Sequence, residues 1–305
     1  MESCRCRRVE FPARGDSTMS RRRELEHHRH SVGEIREIMN SMKTLAYMET
    51  HKLARLLPAQ RAVLESIEQV AADFFSFHPG IRPESANATP VFLLIGTERG
   101  FCGDFNHALI DHPAPMAHAA DLPGSQVLAV GQKLHALLPD DARVSAFIDG
   151  ASIAEEIPRV LHVVVNALRS LQVAHVDLTL YAIYHAEDGI VMNQLLPPFQ
   201  QQLHAAPSHQ HAPLLNLPPE VFLLDLTDHY LFASLHQMLY TSLMQENRRR
   251  MTHLEGAVRH LDEESGDLAR RCNALRQEEI IEEIEVILLS AASINGGPSS
   301  TSPHT

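Results

Sequence analysis

The sequence is poor in aromatic residues and contains no tryptophan. Phenylalanine, tyrosine and tryptophan together make up 5% of its 305 residues. Aliphatic side chains are therefore a more natural source of burial than a bulky aromatic core. Hydrophobic residues still make up 44% of the chain, which is enough for one domain of ordinary size plus extended helices.

The sequence also lacks the features of nucleic-acid-binding, disulfide-stabilised and membrane-spanning proteins. Its formal net charge of −12 argues against nucleic acid as a partner, because phosphate binding depends on clustered lysine and arginine. The cysteines are spaced too irregularly for a disulfide framework, which favours a reducing compartment. They are Cys4, Cys6, Cys102 and Cys272. No apolar run reaches the roughly 18 to 20 residues that a transmembrane helix needs, and no signal-peptide segment is visible. Since Cys4 and Cys6 have no recognisable partners for a metal, we expect no metal site and no cofactor.

Two long stretches that favour helix lie near the ends of the chain. No proline occurs between Glu220 and Gly297, and residues 19–78 contain only Pro58, at which we expect a kink or a delay. In residues 19–78, apolar side chains recur at alternating steps of three and four, the heptad period of a coiled coil. The predicted seam comprises positions 25, 28, 32, 35, 39, 42, 46, 49, 53, 56, 60, 63, 67, 70, 74 and 77. Its polar members are His28, Glu49 and Gln60.

The second stretch shows the same period. Its predicted seam consists of Met251, Leu254, Val258, Leu261, Ser265, Leu268, Cys272 and Leu275, followed after a change of phase by Ile281, Ile284, Leu288 and Ala291. Such a change of phase alters the supercoil or ends the pairing. A compact helical bundle would need several partner helices, which the middle of the chain does not supply. The two stretches are therefore predicted to pair with each other as an antiparallel coiled coil.

Both helices carry runs of like charge. These runs are Arg21–Arg23, Arg248–Arg250 and the acidic end Glu278, Glu279, Glu282, Glu283 and Glu285. Charge runs on helices usually form solvated faces. An acidic end with an apolar stripe also suits a helix tip that turns inside a socket of a partner, and composition does not choose between the two readings.

Between the two helices the pattern changes to short apolar runs separated by turn residues. The predicted strands are Val91–Ile95, Val127–Val130, His175–Tyr184 and Ile190–Met192, and helical spacing occurs at Gln132–Leu138 and Ser152–Leu171. This alternation predicts a Rossmann-like α/β domain with a largely parallel sheet. The predicted fold class is therefore α/β, with a long antiparallel coiled coil of the terminal helices and an inserted α/β domain.

The predicted boundaries follow from these patterns. Residues 1–18 form an unstructured extension, 19–78 the N-terminal helix, 90–198 the α/β domain, 199–220 a linker, 221–294 the C-terminal helix and 295–305 a disordered tail.

One motif follows the first predicted strand directly, and it reads Thr97-Glu-Arg-Gly-Phe-Cys-Gly-Asp-Phe-Asn106. Its glycines are typical of a tight turn, but their spacing fits neither a Walker loop nor a dinucleotide-binding fingerprint. Cys102 lies near Arg99 and is a candidate nucleophile, because a neighbouring cation lowers the pKa of a thiol. None of the 20 histidines is placed by the sequence to act as its base. A structural turn is the favoured interpretation, and a Cys102-dependent enzyme is the alternative.

The motif resembles the stretch Ser/Thr-Asp/Glu-Arg-Gly-Leu-Cys-Gly-x-Leu/Phe-Asn of the gamma subunit of F-type ATP synthases, with Phe101 in place of Leu. The matching positions include Arg99, Gly100, Cys102, Gly103 and Asn106. The order of elements is also similar to that family. Further similar segments are Ser31-Val32, Ile38, Met42, Leu45-Ala46, Lys52-Leu53 and Gln194-Leu-Leu-Pro197.

The C-terminal stretch is similar to the same family through Asn273-x-x-Arg276-Gln277-x-x-Ile280-x-x-Glu283. Three positions depart from the family pattern, since Ile281, Val286 and Ser290 stand where Thr, an acidic residue and Gly are usual. The resemblance covers residues 20–294 and identifies a divergent member.

The resemblance implies a gamma subunit that forms the central-stalk rotor of a proton- or sodium-translocating F-type ATPase. Such a subunit has no catalytic site of its own and couples rotation driven by ion flow to ATP synthesis or hydrolysis at the beta subunits. The implied partners are the alpha, beta and epsilon subunits and the membrane rotor ring, at the cytoplasmic face of the membrane. By the same resemblance, Met42 lies where the shaft approaches the beta levers, and Arg276 and Gln277 take the positions that contact the beta catch loop. The alternative is a coiled-coil scaffold with a non-catalytic α/β module.

Overall fold

The computed structural model describes residues 15–81, 88–112, 125–138, 141–174, 177–204 and 212–295. The chain divides into two compact units, Met1–Ser41 with Glu255–Thr305, and Met42–Leu254. Two helices contribute residues to both units, α1 (Gly15–Phe77) and α5 (Pro219–Asn295). Helix α1 begins four residues before the predicted start at residue 19 and continues through Pro58. The rest of the predicted N-terminal extension and the tail beyond Asn295 lie outside the described residues.

The Met42–Leu254 unit contains a five-stranded sheet. Its strands are β1 (Thr89–Ile95), β2 (Gln126–Val130), β3 (Val144–Ile148), β4 (Leu178–Ala186) and β5 (Gly189–Leu196). Their order is β3-β2-β1-β4-β5, with β5 antiparallel to β4 and all other neighbours parallel. The predicted α/β class is therefore confirmed. Strand β3 adds to the predicted strands because it lies at the sheet edge, where its mixed burial gives no continuous apolar run.

Shorter helices lie between the strands. They are α2 (Phe105–Asp111), α3 (Gln132–His135) and α4 (Ile157–Ala174), with 3₁₀ turns at Ala154–Glu156 and Gln202–His204. Successive side chains of β1 point to opposite faces of the sheet, as the pleat requires. Leu93 enters a core formed with α4, α1 and α5, whereas Phe92 enters a second core formed with α2 and α3.

Within this unit, α1 and α5 run antiparallel. The His236 ring nitrogen Nδ1 lies 3.2 Å from the Gln60 Oε1, and the rings of Phe74 and Phe222 are centred 5.2 Å apart. Phe199, at the start of the predicted linker, is buried in the same aromatic cluster as Phe74. The predicted linker therefore begins with a residue that packs against the helix pair.

The predicted seam of α1 is correct in part. Val32, Ala46, Leu53 and Phe74 are buried as expected, but Ile35, Leu56, Val63 and Val70 are exposed. Beyond Leu53 the buried positions instead include Leu57 and Ala71. Near Leu57 the buried face of α1 departs from the predicted seam because α1 packs there against α4 and the sheet as well as α5. Its apolar face is therefore wider than a two-residue coiled-coil seam.

In the other unit, residues 22–36 of α1 pair antiparallel with residues 262–279 of α5. Arg22 lies 2.9 Å from Glu279, the His28 ring lies 3.5 Å from Glu264, and Arg36 bonds to Asp262. The buried side chains between the helices are Val32, Val258, Leu268 and Cys272.

Of the two outcomes expected from the change of phase in the α5 seam, the structure shows an end of the buried stripe and, among the residues it describes, no second seam. The buried stripe continues in register from Leu275 to Glu279, which is 9% exposed, while Ile281, Ile284 and Leu288 are at least half exposed. A carboxylate can occupy a seam position here because Arg22 supplies a charged hydrogen-bond partner. The apolar residues that suggested a new phase form a face that α1 does not cover within this unit.

Candidate functional site

The candidate site is the loop at the carboxyl end of β1, residues 96–106, together with the α5 residues that it contacts. The side chain of Asn106 closes this loop on itself. Its Oδ1 accepts a hydrogen bond from the Thr97 N–H at 3.0 Å, and its Nδ2 donates to the Thr97 hydroxyl at 2.8 Å. The two ends of the motif are therefore held together by a single amide.

Glu98 ties the loop to its neighbours at the same edge of the sheet. Its Oε2 accepts hydrogen bonds from the N–H of Gln132 at 3.1 Å and of Gly150 at 2.7 Å. Gly131 permits the close approach after β2, because its φ is +107° and an added Cβ would lie 2.6 Å from the Thr97 carbonyl oxygen. The loops after β1, β2 and β3 thus form one bonded edge.

A buried ion pair on α5 holds the loop from the other side. The side chains of Arg250 and Glu246 are 6% and 3% exposed and bond to each other. Arg250 donates from Nε to the Gly100 carbonyl at 3.2 Å and from Nη2 to the Arg99 carbonyl at 3.4 Å. The Glu246 carboxylate accepts hydrogen bonds from the backbone N–H groups of Glu98 and Arg99. The pair therefore binds both carbonyl and N–H groups of the main chain of the motif.

The environment of Glu246 perturbs its titration. Complete burial raises the pKa of Glu246 to about 7, although Arg250 and the two backbone N–H groups act in the opposite direction. The run Arg248–Arg250, interpreted as a solvated face, is thus only partly solvated, since Arg250 is buried. Arg249 remains half exposed and bonds to Asp104 at 2.7 Å, which adds a second contact between α5 and the motif.

Cys102 is a poor nucleophile in this setting. Its thiol is buried and donates to the Gly100 carbonyl at 3.4 Å. Burial raises the pKa of Cys102 to about 12, and the opposing effect of Arg250 does not offset it. The geometry therefore argues against the Cys102-dependent enzyme. Within the described ranges, no group of three or more His, Cys, Asp or Glu residues is arranged to hold a metal ion. Cys4 and Cys6 lie outside those ranges.

A second set of contacts joins the domain to α1. The Glu49 carboxylate accepts the Ala154 N–H at 3.2 Å, and Lys52 pairs with Glu155 and lies 3.5 Å from Glu49. Glu49 was a polar interruption of the predicted seam, and the structure gives it this role. The hydrogen bond to Glu155 raises the pKa of Lys52.

Sequence reasoning missed three residues that hold the main chain of the 96–106 loop: Glu246, Arg250 and His185. The His185 ring is buried and its Nε2–H donates to the Phe105 carbonyl at 2.9 Å, while burial lowers the pKa of His185. The arginine run was the only sequence signal for Arg250. Nothing local marked Glu246 or His185, because their partners are distant in the chain.

The predicted coupling residues lie apart from this loop in sequence. Arg276 and Gln277 are exposed on α5, and Met42 is half-buried on α1. Arg276 and Gln277 belong to the unit of residues 15–41 and 255–295, whereas Met42 belongs to the other unit.

In the part of the chain that the structure describes, no helix combines the length and the apolar character needed to cross a membrane. A family model described as ATP synthase matches residues 21–294. The chain is 22% identical to the ATP synthase gamma chain of Paracidovorax citrulli over 281 residues, which cover 87% of this chain and 96% of that protein. It is 23% identical to the ATP synthase gamma chain of Herminiimonas arsenicoxydans over 278 residues, with the same coverage.

Solved structures resemble the fold. A chain of the Euglena gracilis mitochondrial ATP synthase, solved as OSCP/F1/c-ring, aligns with a TM-score of 0.60 and 14% identity over 94% of this chain and 98% of that one. A chain of the Tetrahymena thermophila mitochondrial ATP synthase central stalk and c-ring aligns with a TM-score of 0.52 and 16% identity, over 72% of this chain and 99% of that one.

Proposed function

The chain belongs to the ATP synthase family as a subunit of the gamma type, and we propose that it turns as the central-stalk rotor of a proton- or sodium-translocating F-type ATPase. One observation carries this proposal. The family match spans residues 21–294, and over that span α1 and α5 pair antiparallel within each unit, with the α/β domain inserted between them in the chain.

The proposed role is mechanical rather than catalytic. Rotation driven by ion flow turns the subunit, and its asymmetric helices carry the beta subunits through their catalytic states. The contacts of the 96–106 loop support this view, because Arg250 binds its main-chain carbonyls and its thiol is buried.

The partners follow from the surfaces of α1 and α5. Ile281, Ile284 and Leu288 are exposed near the end of α5 and alternate with glutamates, a pattern that suits a helix tip held in a socket of the alpha and beta subunits. We propose that Met42 meets the beta levers and that Arg276 and Gln277 meet the beta catch loop. Ile281 cannot donate the hydrogen bond of the usual Thr, so this contact depends on Arg276 and Gln277. The epsilon subunit and the membrane rotor ring complete the proposed set, at the cytoplasmic face of the membrane.

Co-expression tests this function. The chain is produced together with the alpha and beta subunits of the same organism, and the proposal expects one complex that co-purifies and hydrolyses ATP. The chain alone is expected to show no ATP hydrolysis. A chain that remains separate from alpha and beta, and instead sediments as its own oligomer, would support the coiled-coil scaffold and exclude the rotor.

The coupling residues are tested in that complex. Replacing Arg276 and Gln277 by Ala is expected to lower ATP hydrolysis without lowering the stability of the isolated chain, because both side chains are exposed. Arg271→Ala is the matched control, since Arg271 is exposed on the same helix. Equal rates for the double variant and the control would remove the proposed catch-loop contact and leave the rotor assignment standing.

A further inference from the structure

We propose that the buried pair Glu246 and Arg250 is the joint that transmits torque between the α/β domain and α5, an inference that rests on the proposed rotor function. Both residues are on α5, and both bond to the main chain of the 96–106 loop. They are positioning residues, because they act on the geometry of the domain and touch no substrate.

The joint resists rotation because of what it binds. Carbonyl and N–H groups of Glu98, Arg99 and Gly100 are fixed by the backbone, so they cannot yield by changing a side-chain rotamer. Both side chains are shielded from water, so breaking their contacts leaves the Arg250 guanidinium and the polar groups of the loop buried without partners. Such a loss is far more costly than the loss of a solvated pair.

The other polar contacts between the domain and the helices are weaker candidates. Arg249 and Asp104 are 48% and 73% exposed, and Lys52 and Glu155 are 37% and 59% exposed. Exposed ion pairs contribute little because water competes for both partners. Leu239 and other apolar residues of α5 also pack against the sheet, but apolar contact has no directional preference. The Ser242 hydroxyl of α5 also donates a buried hydrogen bond to the Ile95 carbonyl at 3.3 Å, but this is a single neutral bond. The buried pair, with several bonds to the loop, therefore supplies the strongest directional constraint.

The guanidinium shape is essential to this arrangement. Arg250 uses Nε for the Gly100 carbonyl, Nη2 for the Arg99 carbonyl and for Glu246, and Nη1 for the Asn247 Oδ1 at 2.8 Å. A lysine keeps the positive charge beside Glu246 but has one nitrogen, which cannot reach all of these acceptors. Arg250→Lys thus weakens the joint without leaving Glu246 unpaired.

The experiment uses the complete complex, reconstituted with its membrane sector in vesicles. ATP hydrolysis is measured without an ion gradient, and ATP-driven ion pumping is measured in the same preparation. For Arg250→Lys we expect near-normal hydrolysis, while ions pumped per ATP hydrolysed fall about threefold, in the range of known coupling effects. The control is Arg259→Lys, since Arg259 is exposed and pairs with Glu255 of its own helix.

A rescue separates torque transmission from a merely structural role. Arg249 and Asp104 side chains already meet at 2.7 Å, so cysteines at these two positions can be joined by a short thiol crosslinker. Cys4 and Cys6 are replaced by Ser to prevent labelling elsewhere. Crosslinking is expected to restore the pumping ratio of Arg250→Lys. A purely structural defect would lower the amount of complex and both rates together, without recovery on crosslinking.

The outcomes distinguish the two proposals. If the wild-type chain does not assemble with alpha and beta, the proposed function fails. If the wild type pumps ions and Arg250→Lys keeps the same ratio, only the torque joint is overturned. Should Arg250→Lys fail to assemble, Asn247→Ala removes an orienting contact of Arg250 and retains both charges. The same loss and rescue, smaller in size, are then expected, and an unchanged ratio overturns the joint.

Discussion

Replacing Leu57 by Ala tests the position of the buried face of α1. Leu57 is 4% exposed and packs in the core with the sheet and α5, whereas its neighbour Leu56 is 37% exposed. The heptad pattern of the sequence predicts that Leu56, and not Leu57, lies in the buried seam of α1. The two leucines offer the same chemical change at adjacent positions, so Leu56→Ala is the matched control.

The expected losses of stability differ because only Leu57→Ala leaves a closed cavity. Truncation of a fully buried leucine costs about 3 kcal/mol, since the transfer term and the cavity term add. For Leu56 the transfer term is reduced by exposure and water fills the space, so we expect about 1 kcal/mol. The difference between the two variants is therefore about 2 kcal/mol.

Urea unfolding of the full chain, followed by far-UV circular dichroism, measures this difference. With a slope of roughly 2 kcal/mol per molar urea, the midpoint of Leu57→Ala should lie about 1 M below that of Leu56→Ala. Hydrogen exchange of the β1 amides provides a second probe of the same unit. Equal losses, or a larger loss for Leu56→Ala, would show that α1 presents the face predicted from the sequence.

Three other predictions follow from the loop and its surroundings. The raised pKa of Glu246 means that the folded state retains a proton which the unfolded state loses, so the free energy of unfolding should fall as pH rises from the ordinary 4.5 to about 7. This fall amounts to roughly 3 kcal/mol and should be absent in denaturation curves of Glu246→Gln. Cys102 should resist iodoacetamide at pH 8 in the native protein and react after unfolding, as mass spectrometry would show, and rapid native alkylation would contradict its burial. Gly131→Ala should lower the free energy of unfolding by about 2 kcal/mol or more, because φ is positive there and the added Cβ would meet the Thr97 carbonyl. Gly33→Ala has open space around it and should raise the free energy of unfolding by up to about 1 kcal/mol. Thermal melts of both variants measure these changes.

The central strands and long helices were predictable because their signals are local. Val91–Ile95 is a continuous apolar run bounded by turn residues, and the heptad spacing of α5 is regular through Leu275. Each signal depends only on the residues of its own element. A strand buried on both faces gives a continuous apolar run, and a helix buried along one stripe gives apolar residues at steps of three and four. The short edge strand β3 gives a weaker pattern and was not predicted.

The contacts of the 96–106 loop could not be predicted, because sequence signals are local and these partners are distant in the chain. Arg250 and Gly100 are 150 positions apart, so no local pattern joins them. The last buried position of the α5 seam was hard to predict for another reason. Ile281 and Ile284 are apolar but exposed, whereas Glu279 is acidic and buried. Hydrophobic periodicity shows which face is apolar but not which neighbour covers it. A buried acid is recognised only when its partner, Arg22, is known.

Glu246 and Arg250 of α5 bind backbone groups of Glu98, Arg99 and Gly100, so these bonds do not depend on the side chains at those three positions. Exchange of Phe101 for another side chain leaves the bonded carbonyl and N–H groups where they are, provided that the left-handed φ of 64° is kept. Lengthening this turn by one residue would shift every gripped group out of line at once. Position 101 should therefore accept substitutions readily, whereas the turn should accept insertions hardly at all.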